Sequence, residues 1–287
     1  MPMFKDARDF QILALFLFLT LGLGTRDWTL RPDLILVTIA TCLLTQWLAT
    51  QISAKFSAPP SDSPTFSPRS ALITSLGLCL LLRADHWWTV TIAACLAILS
   101  KFVFRFKEKH CFNPANFGMI AALLLTGDAW VSPGQWGADW WYALLFFGIG
   151  GLILQRVGRW DTTAAFFGSY ALLEAGRNFW LGWTWDVYLH KLMSGSLLLF
   201  ALFMVTDPRS IPNARTGRFV WAVMIALLTF ILRNYFYVST AILWALFVLS
   251  PLTIALDILW PAPRFRWTAT VTESEPESAP TPTPAFL

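Results

Sequence analysis

Ten apolar runs separated by short polar breaks dominate this chain, at residues 10–24, 34–52, 70–82, 87–104, 113–126, 138–155, 160–176, 190–206, 219–235 and 238–260. A helix needs about 20 apolar residues to cross a hydrocarbon core roughly 30 Å thick. Runs of this size and spacing leave little chain for anything but membrane segments. Composition agrees: 56% of residues are hydrophobic and 13% charged, whereas soluble domains carry about 25% charged residues. The expected architecture is an all-α integral membrane protein of about ten transmembrane or half-membrane helices, in a single polytopic domain over residues 1–260. The connection at 52–69, with Pro59, Pro60, Pro64 and Pro68 among Ser and Asp, reads as a solvated loop. The Pro-, Thr-, Ser- and Glu-rich segment 261–287 reads as a disordered cytoplasmic tail.

Charge sets an expected orientation. If every run changes sides, fifteen Lys and Arg fall on the face that holds both ends of the chain, and six on the other. The first set includes Arg8, Arg69, Lys101, Arg105 and Arg209, and the second includes Arg83, Arg177, Lys191 and Arg233. That bias follows the positive-inside rule and puts both termini in the cytoplasm. A bacterial inner membrane is the expected location. The net charge of +4 therefore belongs to the loops that orient the spans; it does not form a nucleic-acid-binding face. Tryptophans cluster on the outer face at Trp28, Trp87, Trp88, Trp130, Trp136, Trp180, Trp183 and Trp185, as an interfacial belt does. The N-terminal run follows Lys5 and Arg8 without a small-residue cleavage site before Arg26, and reads as a retained first span.

Two runs are too short to cross alone. Residues 70–82 and 113–126 would rise only about 20 Å as helix, the mark of broken or re-entrant segments that line a protein-buried cavity. An internal similarity pairs Ser70-Ala-Leu-Ile-Thr-Ser-Leu-Gly with Ser194-Gly-Ser-Leu-Leu-Leu-Phe-Ala, and Asn113-Pro-Ala-Asn-Phe with Tyr237-Val-Ser-Thr-Ala. Five runs separate the paired elements. The reading is a five-plus-five inverted repeat, with halves at about 10–126 and 138–260 and a functional cavity at their interface.

The most specific local signals are Phe112-Asn-Pro-Ala-Asn-Phe-Gly118 and Phe203-Met-Val-Thr-Asp-Pro-Arg209. Asn followed by Pro at a helix start supplies a capping side chain and a preorganised first turn, where free N–H groups can meet a polar ligand. The alternative is a well-capped structural helix. Asp207 ends its run, with Arg209 or Arg215 as expected partners. The candidate cofactor-binding positions, taken as cavity-lining or helix-terminus residues, are Asn113, Pro114, Asn116, Ser194, Gly195 and Asp207.

Other chemistry finds little support. Cys42, Cys79, Cys95 and Cys111 are isolated and read as small buried hydrophobes. His86, His110 and His190 do not fall at matched depth within spans, so haem is not expected, nor is a metal. Glu174 is an acidic residue within a run and is expected to form an interfacial pair near Arg177. Aromatic side chains could stack on a flavin ring, but a membrane protein with 16% aromatics has these rings without one.

The two motifs, together with Arg159-Trp-Asp-Thr-Thr-Ala-Ala-Phe-Phe-Gly-Ser-Tyr-Ala171, Leu192 to Pro208 and Gly217-Arg-Phe, resemble the NqrB/RnfD family of membrane electron-transport subunits over about 70–260. The resemblance implies ten spans in two inverted halves, a fold shared with urea channels, and a role in flavin- or quinone-linked electron transport beside redox partner proteins. The family attaches FMN covalently to a threonine in a long loop between spans five and six. Here the connection is only Gly127 to Gly137 and holds no such threonine. Covalent FMN is therefore not expected, and a non-covalent flavin, riboflavin or FMN, is the cofactor the resemblance leaves. The shortened form resembles the RnfD-like proteins called UnbU. Two other readings stand beside this one. One is a channel or transporter for a small solute along Ser75, Asn113, Asn116, Ser194 and Ser239, and the other is a membrane scaffold for a biosynthetic or redox complex.

Overall fold

The structure, a computed structural model, describes residues 6–25, 29–56, 66–106, 109–134 and 141–265. The middle of the Pro-rich connection, the disordered-tail expectation beyond Phe265, and Trp28 and Trp136 lie outside the described residues. Twelve helices occupy most of what is described. They are α1 (Ala7–Thr25), α2 (Pro32–Phe56), α3 (Pro68–Leu81), α4 (Trp87–Val103), α5 (Pro114–Leu125), α6 (Trp141–Val157), α7 (Trp160–Trp180), α8 (Trp185–Leu192), α9 (Gly195–Met204, closing in a π-turn at Phe200–Met204), α10 (Arg215–Asn234), α11 (Ala241–Leu249) and α12 (Leu252–Leu259). By length and composition, α1, α2 and α10 can each cross a membrane, and α11 with α12 makes a fourth crossing if the pair, bent by 50°, is one span. Five further apolar helices are shorter.

Several expected runs are corrected in detail. Residues 190–206 are not one segment, because α8 ends at Leu192 and α9 begins at Gly195. The break is built by loop 132–134, whose Pro133 carbonyl accepts from the Ser194 hydroxyl at 2.7 Å while the Gly134 carbonyl accepts from the Gly195 N–H at 2.9 Å. Gly134 sits at φ +58°, within van der Waals reach of Gly195, a conformation and approach that suit glycine. The run 238–260 is broken at Ser250 and Pro251, since proline cannot continue the hydrogen-bond ladder. The solvated loop expected from residue 52 starts later, because α2 remains helical to Phe56.

The two shortest expected segments are short helices with well-defined ends. Pro68 and Pro114 each stand in the first turn, and α5 is capped by Asn113, whose side chain accepts from the Asn116 N–H at 3.1 Å. Their far ends are tied together by a two-stranded ladder, Leu82 and Arg83 (β1) against Val131 and Trp130 (β4). Arg83, buried there, donates to the carbonyls of Cys79, Leu80 and Leu82, so a cation satisfies the orphan C-terminal acceptors of α3. A second ladder, Arg105–Phe106 (β2) with Lys109–His110 (β3), leads into α5.

Packing follows small residues and aromatic contacts. A side chain on Gly118 would come within 2.5 Å of the Ala93 carbonyl and 2.7 Å of Ala97, so α5 lies against α4 at backbone distance. Among the described elements, α3 packs on α1, α2 and α5, while α4 packs on α2 and α5. In the second part of the chain α9 packs on α6 and α7, while α10 packs on α7 and α11. The parts join where α1 meets α6, with Phe18 and Phe146 stacked at 4.3 Å, and where α5 meets α11. In the π-turn of α9 the Ala201 carbonyl is taken by the Thr163 hydroxyl of α7 at 2.6 Å; such turns need substitute partners for displaced ladder bonds.

Candidate functional site: a basic cavity between broken helices

The start of α5 and the end of α9 meet. The Asn113 amide reaches the Met204 carbonyl and an Asp207 carboxylate oxygen, each at 3.4 Å. Asp207 also accepts from the Arg209 N–H at 3.2 Å and from the Ser210 hydroxyl at 3.1 Å. Burial pushes its carboxyl above the usual range, against the lowering pull of those donors. Arg215, the other expected partner, pairs instead with Asp161 at 3.6 Å, beside the tighter Arg218–Asp161 bridge at 2.6 Å.

Asn113, Pro114 and Asp207 line a cavity of about 600 Å³, within the roughly 300–1,000 Å³ span of small-molecule sites. Its lining includes apolar Leu15 of α1, Ile73 of α3, Ile153 of α6 and Phe203 of α9. It also includes the basic residues Arg8, Arg69, Lys101, Arg105 and Arg209, which the charge reading assigns to loops. Lys101 is 5% exposed. Its ammonium donates to the Ser70 hydroxyl at 3.2 Å, the Ser70 carbonyl at 3.3 Å and the Gln46 amide oxygen at 3.5 Å, all neutral acceptors. His110 is 9% exposed, and its Nδ1 has no hydrogen-bond partner among the described residues. Burial, reinforced by Arg209, Lys101 and Arg105, drives its imidazole down to about 3, so the ring is neutral at pH 7.

The remaining sequence-predicted positions fall elsewhere. Ser194 and Gly195 stand at the opposite end of α9, engaged with loop 132–134. Asn116 is buried behind the cavity and donates to the Leu243 carbonyl at 3.1 Å, tying α5 to α11. The rings nearest the start of α5 pack on one another: Phe112 stacks on Phe247 at 5.1 Å, with Phe104 and Phe117 edge-on or tilted around them. Glu174 is corrected. It is 1% exposed, and its partners are Lys191 at 2.7 Å and the Asn234 amide at 2.6 Å. Arg177 turns to the Trp183 ring instead. Among the described residues no cluster of His, Cys, Asp or Glu could hold a metal ion.

Apolar helices, several too short to span alone and meeting end to end at a polar cavity, define a helical integral membrane protein. The profile described as the NQR2, RnfD, RnfE family matches residues 124–264, just under half of the chain. Curated relatives are named as one of the subunits of an ion-translocating oxidoreductase complex. The relative from Vibrio atlanticus is 38% identical over 102 residues, 34% of this chain and 29% of the relative. That from Actinobacillus pleuropneumoniae serotype 5b is 31% identical over 104 residues, 36% and 30% of the two chains. That from Alcanivorax borkumensis is 24% identical over 246 residues, 63% of this chain and 70% of the relative. The chain thus spans about 30% of the first relatives it matches and more of the last. The family resemblance carried by the motifs is upheld: this chain is related to the NQR2, RnfD and RnfE membrane proteins.

Proposed function

We propose that this protein is an RnfD-like membrane subunit that takes part in flavin- or quinone-linked electron transport within a multi-subunit complex, holding a non-covalent flavin in the basic cavity. The observation that carries the reading is the meeting, at one cavity, of the two motifs that bear the family resemblance, Asn113-Pro114 and Asp207-Pro208. The lining suits such a group. Apolar residues of α1, α3, α6 and α9 offer a wall for a flat ring, while Asn113, Lys101 and Ser70 offer polar contacts at its edge. A bound flavin would supply one- and two-electron redox chemistry there.

The same reading includes two inverted halves of five segments, with the cavity and both termini on the cytoplasmic side of a bacterial inner membrane. Pairing order supports it: α3 on α1 and α2, α4 on α2 and α5, against α9 on α6 and α7, α10 on α7 and α11. So do two polar knots at corresponding places. Gln46 of α2 and Lys101 of α4 meet Ser70 at the start of α3. Glu174 of α7 and Asn234 of α10 meet Lys191, just ahead of α9. The solute-channel reading has weaker support, because Ser75, Asn116 and Ser194 are buried and their side chains are already bonded to backbone carbonyls.

The test is an absorbance spectrum of protein purified from flavin-replete cells. Flavin bands that leave with the supernatant on denaturation are expected. A colourless preparation whose extract contains no flavin by mass spectrometry overturns the proposal.

A further inference from the structure

Away from the cavity, the turn between α6 and α7 meets the start of α10 at a cluster of guanidinium groups that outnumber their acids. Asp161 is the carboxylate they share, pairing with Arg218 at 2.6 Å and with Arg215 at 3.6 Å. Arg159 lies within electrostatic reach of both Asp161 and Arg218. It makes no ion pair among the described residues, its Nε is buried without a hydrogen-bond partner there, and its guanidinium lies over the Phe265 ring at 5.3 Å. The neighbouring pair, Lys109 with Asp257, balances itself. Three cations therefore face one acid. The starts of α7 and α10, neither with a side-chain cap, add the positive ends of two helix dipoles.

The cluster stands at the end of an open seam between α6 and α7. Phe147 and Phe167 meet edge-on at 5.6 Å. One turn closer to the connection, on the same faces, stand Gly151 and Ala164, both exposed. A side chain placed on Gly151 would meet nothing within 4 Å, nor would one on Gly148. One turn closer again are Gln155 and Trp160, and Arg215 lies over the Trp160 ring at 5.8 Å. The seam is on the side of α6 opposite Ile153 and Val157, which line the cavity. From Gln155 to Phe147 it rises about 12 Å, close to the roughly 15 Å depth of one leaflet.

We propose that this is a binding site for an anionic phospholipid of the leaflet that the α6–α7 turn faces. The headgroup phosphate lies among Arg159, Arg215 and Gln155, and an acyl chain runs over Gly151 and Ala164 as far as the Phe147–Phe167 pair. A soluble anion would answer the charge and leave the seam empty, while a zwitterionic lipid brings a cation of its own to an already positive cluster. The site is separate from the cavity and stands whether or not a flavin binds there.

Delipidated full-length protein in neutral detergent is titrated with phosphatidylglycerol and with phosphatidylcholine of the same chains, with bound lipid counted by native mass spectrometry and thermal unfolding recorded. Phosphatidylglycerol should bind about tenfold more tightly, two guanidinium groups each contributing a severalfold attraction, and added salt should narrow the difference. Arg215→Gln, at a side chain 74% exposed whose charge opposes the dipole of its own helix, should reduce the preference severalfold, as should Arg159→Gln. Gly151→Leu fills the seam without a clash and should weaken both lipids about fivefold, the worth of one or two methylene groups. Gly176→Leu, at an equally open glycine beyond the Phe147–Phe167 pair, should change neither. Equal binding of the two lipids, or a preference unchanged in both arginine variants, overturns the site. So does binding indifferent to Gly151→Leu; if glycerol phosphate then stabilises the protein as well as phosphatidylglycerol does, the arginines hold a soluble anion instead. A preference that appears only once Glu273→Gln, Glu275→Gln and Glu277→Gln are combined also overturns it, because those acids of this chain then occupy the arginines.

Discussion

Lys101 and Lys191 are the cations of the two polar knots, yet removing their charges should have unequal consequences. Lys191 donates to Glu174, a carboxylate 1% exposed, at 2.7 Å. Lys191→Met leaves that carboxylate buried with one amide donor, Asn234. Breaking a fully buried pair costs about 3–5 kcal/mol, and because the Lys191 side chain is 22% exposed the expected loss is reduced to about 2–3 kcal/mol. Lys101→Met gives up three hydrogen bonds to neutral acceptors at 3.2, 3.3 and 3.5 Å, long enough that each is worth at most about 1 kcal/mol. It also removes the desolvation penalty of a buried cation, of comparable or greater size. The net change should fall within about 1 kcal/mol of zero. Reversible denaturation in mixed micelles, without added anions, measures both. A Glu174→Gln, Lys191→Met double variant should recover part of the loss, since the orphaned charge is gone. If Lys101→Met destabilises as much as Lys191→Met, the Lys101 charge is already compensated within the protein, and the reasoning fails.

Three further outcomes follow from the geometry. Gly118→Ala places a methyl group 2.5 Å from the Ala93 carbonyl, a backbone clash expected to cost about 2–3 kcal/mol in the same denaturation assay; wild-type stability would show that α4 and α5 do not approach so closely. Asn113→Ala removes the cap of α5 and the link to Asp207, at a cost of about 1 kcal/mol, whereas Asn113→Asp should retain the cap. The third concerns Asp128, in the loop after α5, where burial works to raise the carboxyl. Donors from the Thr89 hydroxyl, the His86 ring and the N–H groups of His86 and Asp85 prevail and bring it down to about 2. A depressed carboxyl contributes stability above its unfolded value of roughly 4, and that contribution is lost as pH falls toward 2. Asp128→Asn should flatten the pH dependence in that window, measured by near-ultraviolet circular dichroism.

How much of this was legible in the sequence depends on the scale of the feature. Hydrophobic runs locate helices because hydrocarbon removes the alternative of solvating the backbone, so α2, α5, α7 and α10 fall close to their expected ranges. Asn113-Pro114 reads as a capped helix start from residue chemistry alone, and the cap is present. Breaks made by tertiary contact were not legible. The start of α9 depends on Pro133 and Gly134, some 60 residues away in the chain, and no local pattern distinguishes 190–206 from one continuous run.

The cavity was the least legible part, for a specific reason. Counting Lys101 among loop cations uses its position at the end of an apolar run, where a long side chain ordinarily reaches the interface. In the fold the same side chain turns inward to Gln46 and to Ser70, where the short helix α3 begins beside it. One signal for this was present in the sequence. Lys101 follows Ser100 within the run 87–104, three residues before its end, whereas Arg105 and Lys109 lie clear of it. A cation inside a run that faces a half-length helix has two ways to satisfy its charge, by reaching out to the interface or by facing a cavity where a counter-charge can bind. His110, which reads as an ordinary loop residue, makes the same point. Its place in β3, paired with Arg105 of β2, buries a ring nitrogen that has no hydrogen-bond partner among the described residues, and only the folded hairpin does so. The basic character of the cavity is therefore a property of convergence, in which residues from α1, α3, α4, the hairpin and the end of α9 are each ordinary alone. Together they bring positive charge and apolar side chains to one cavity.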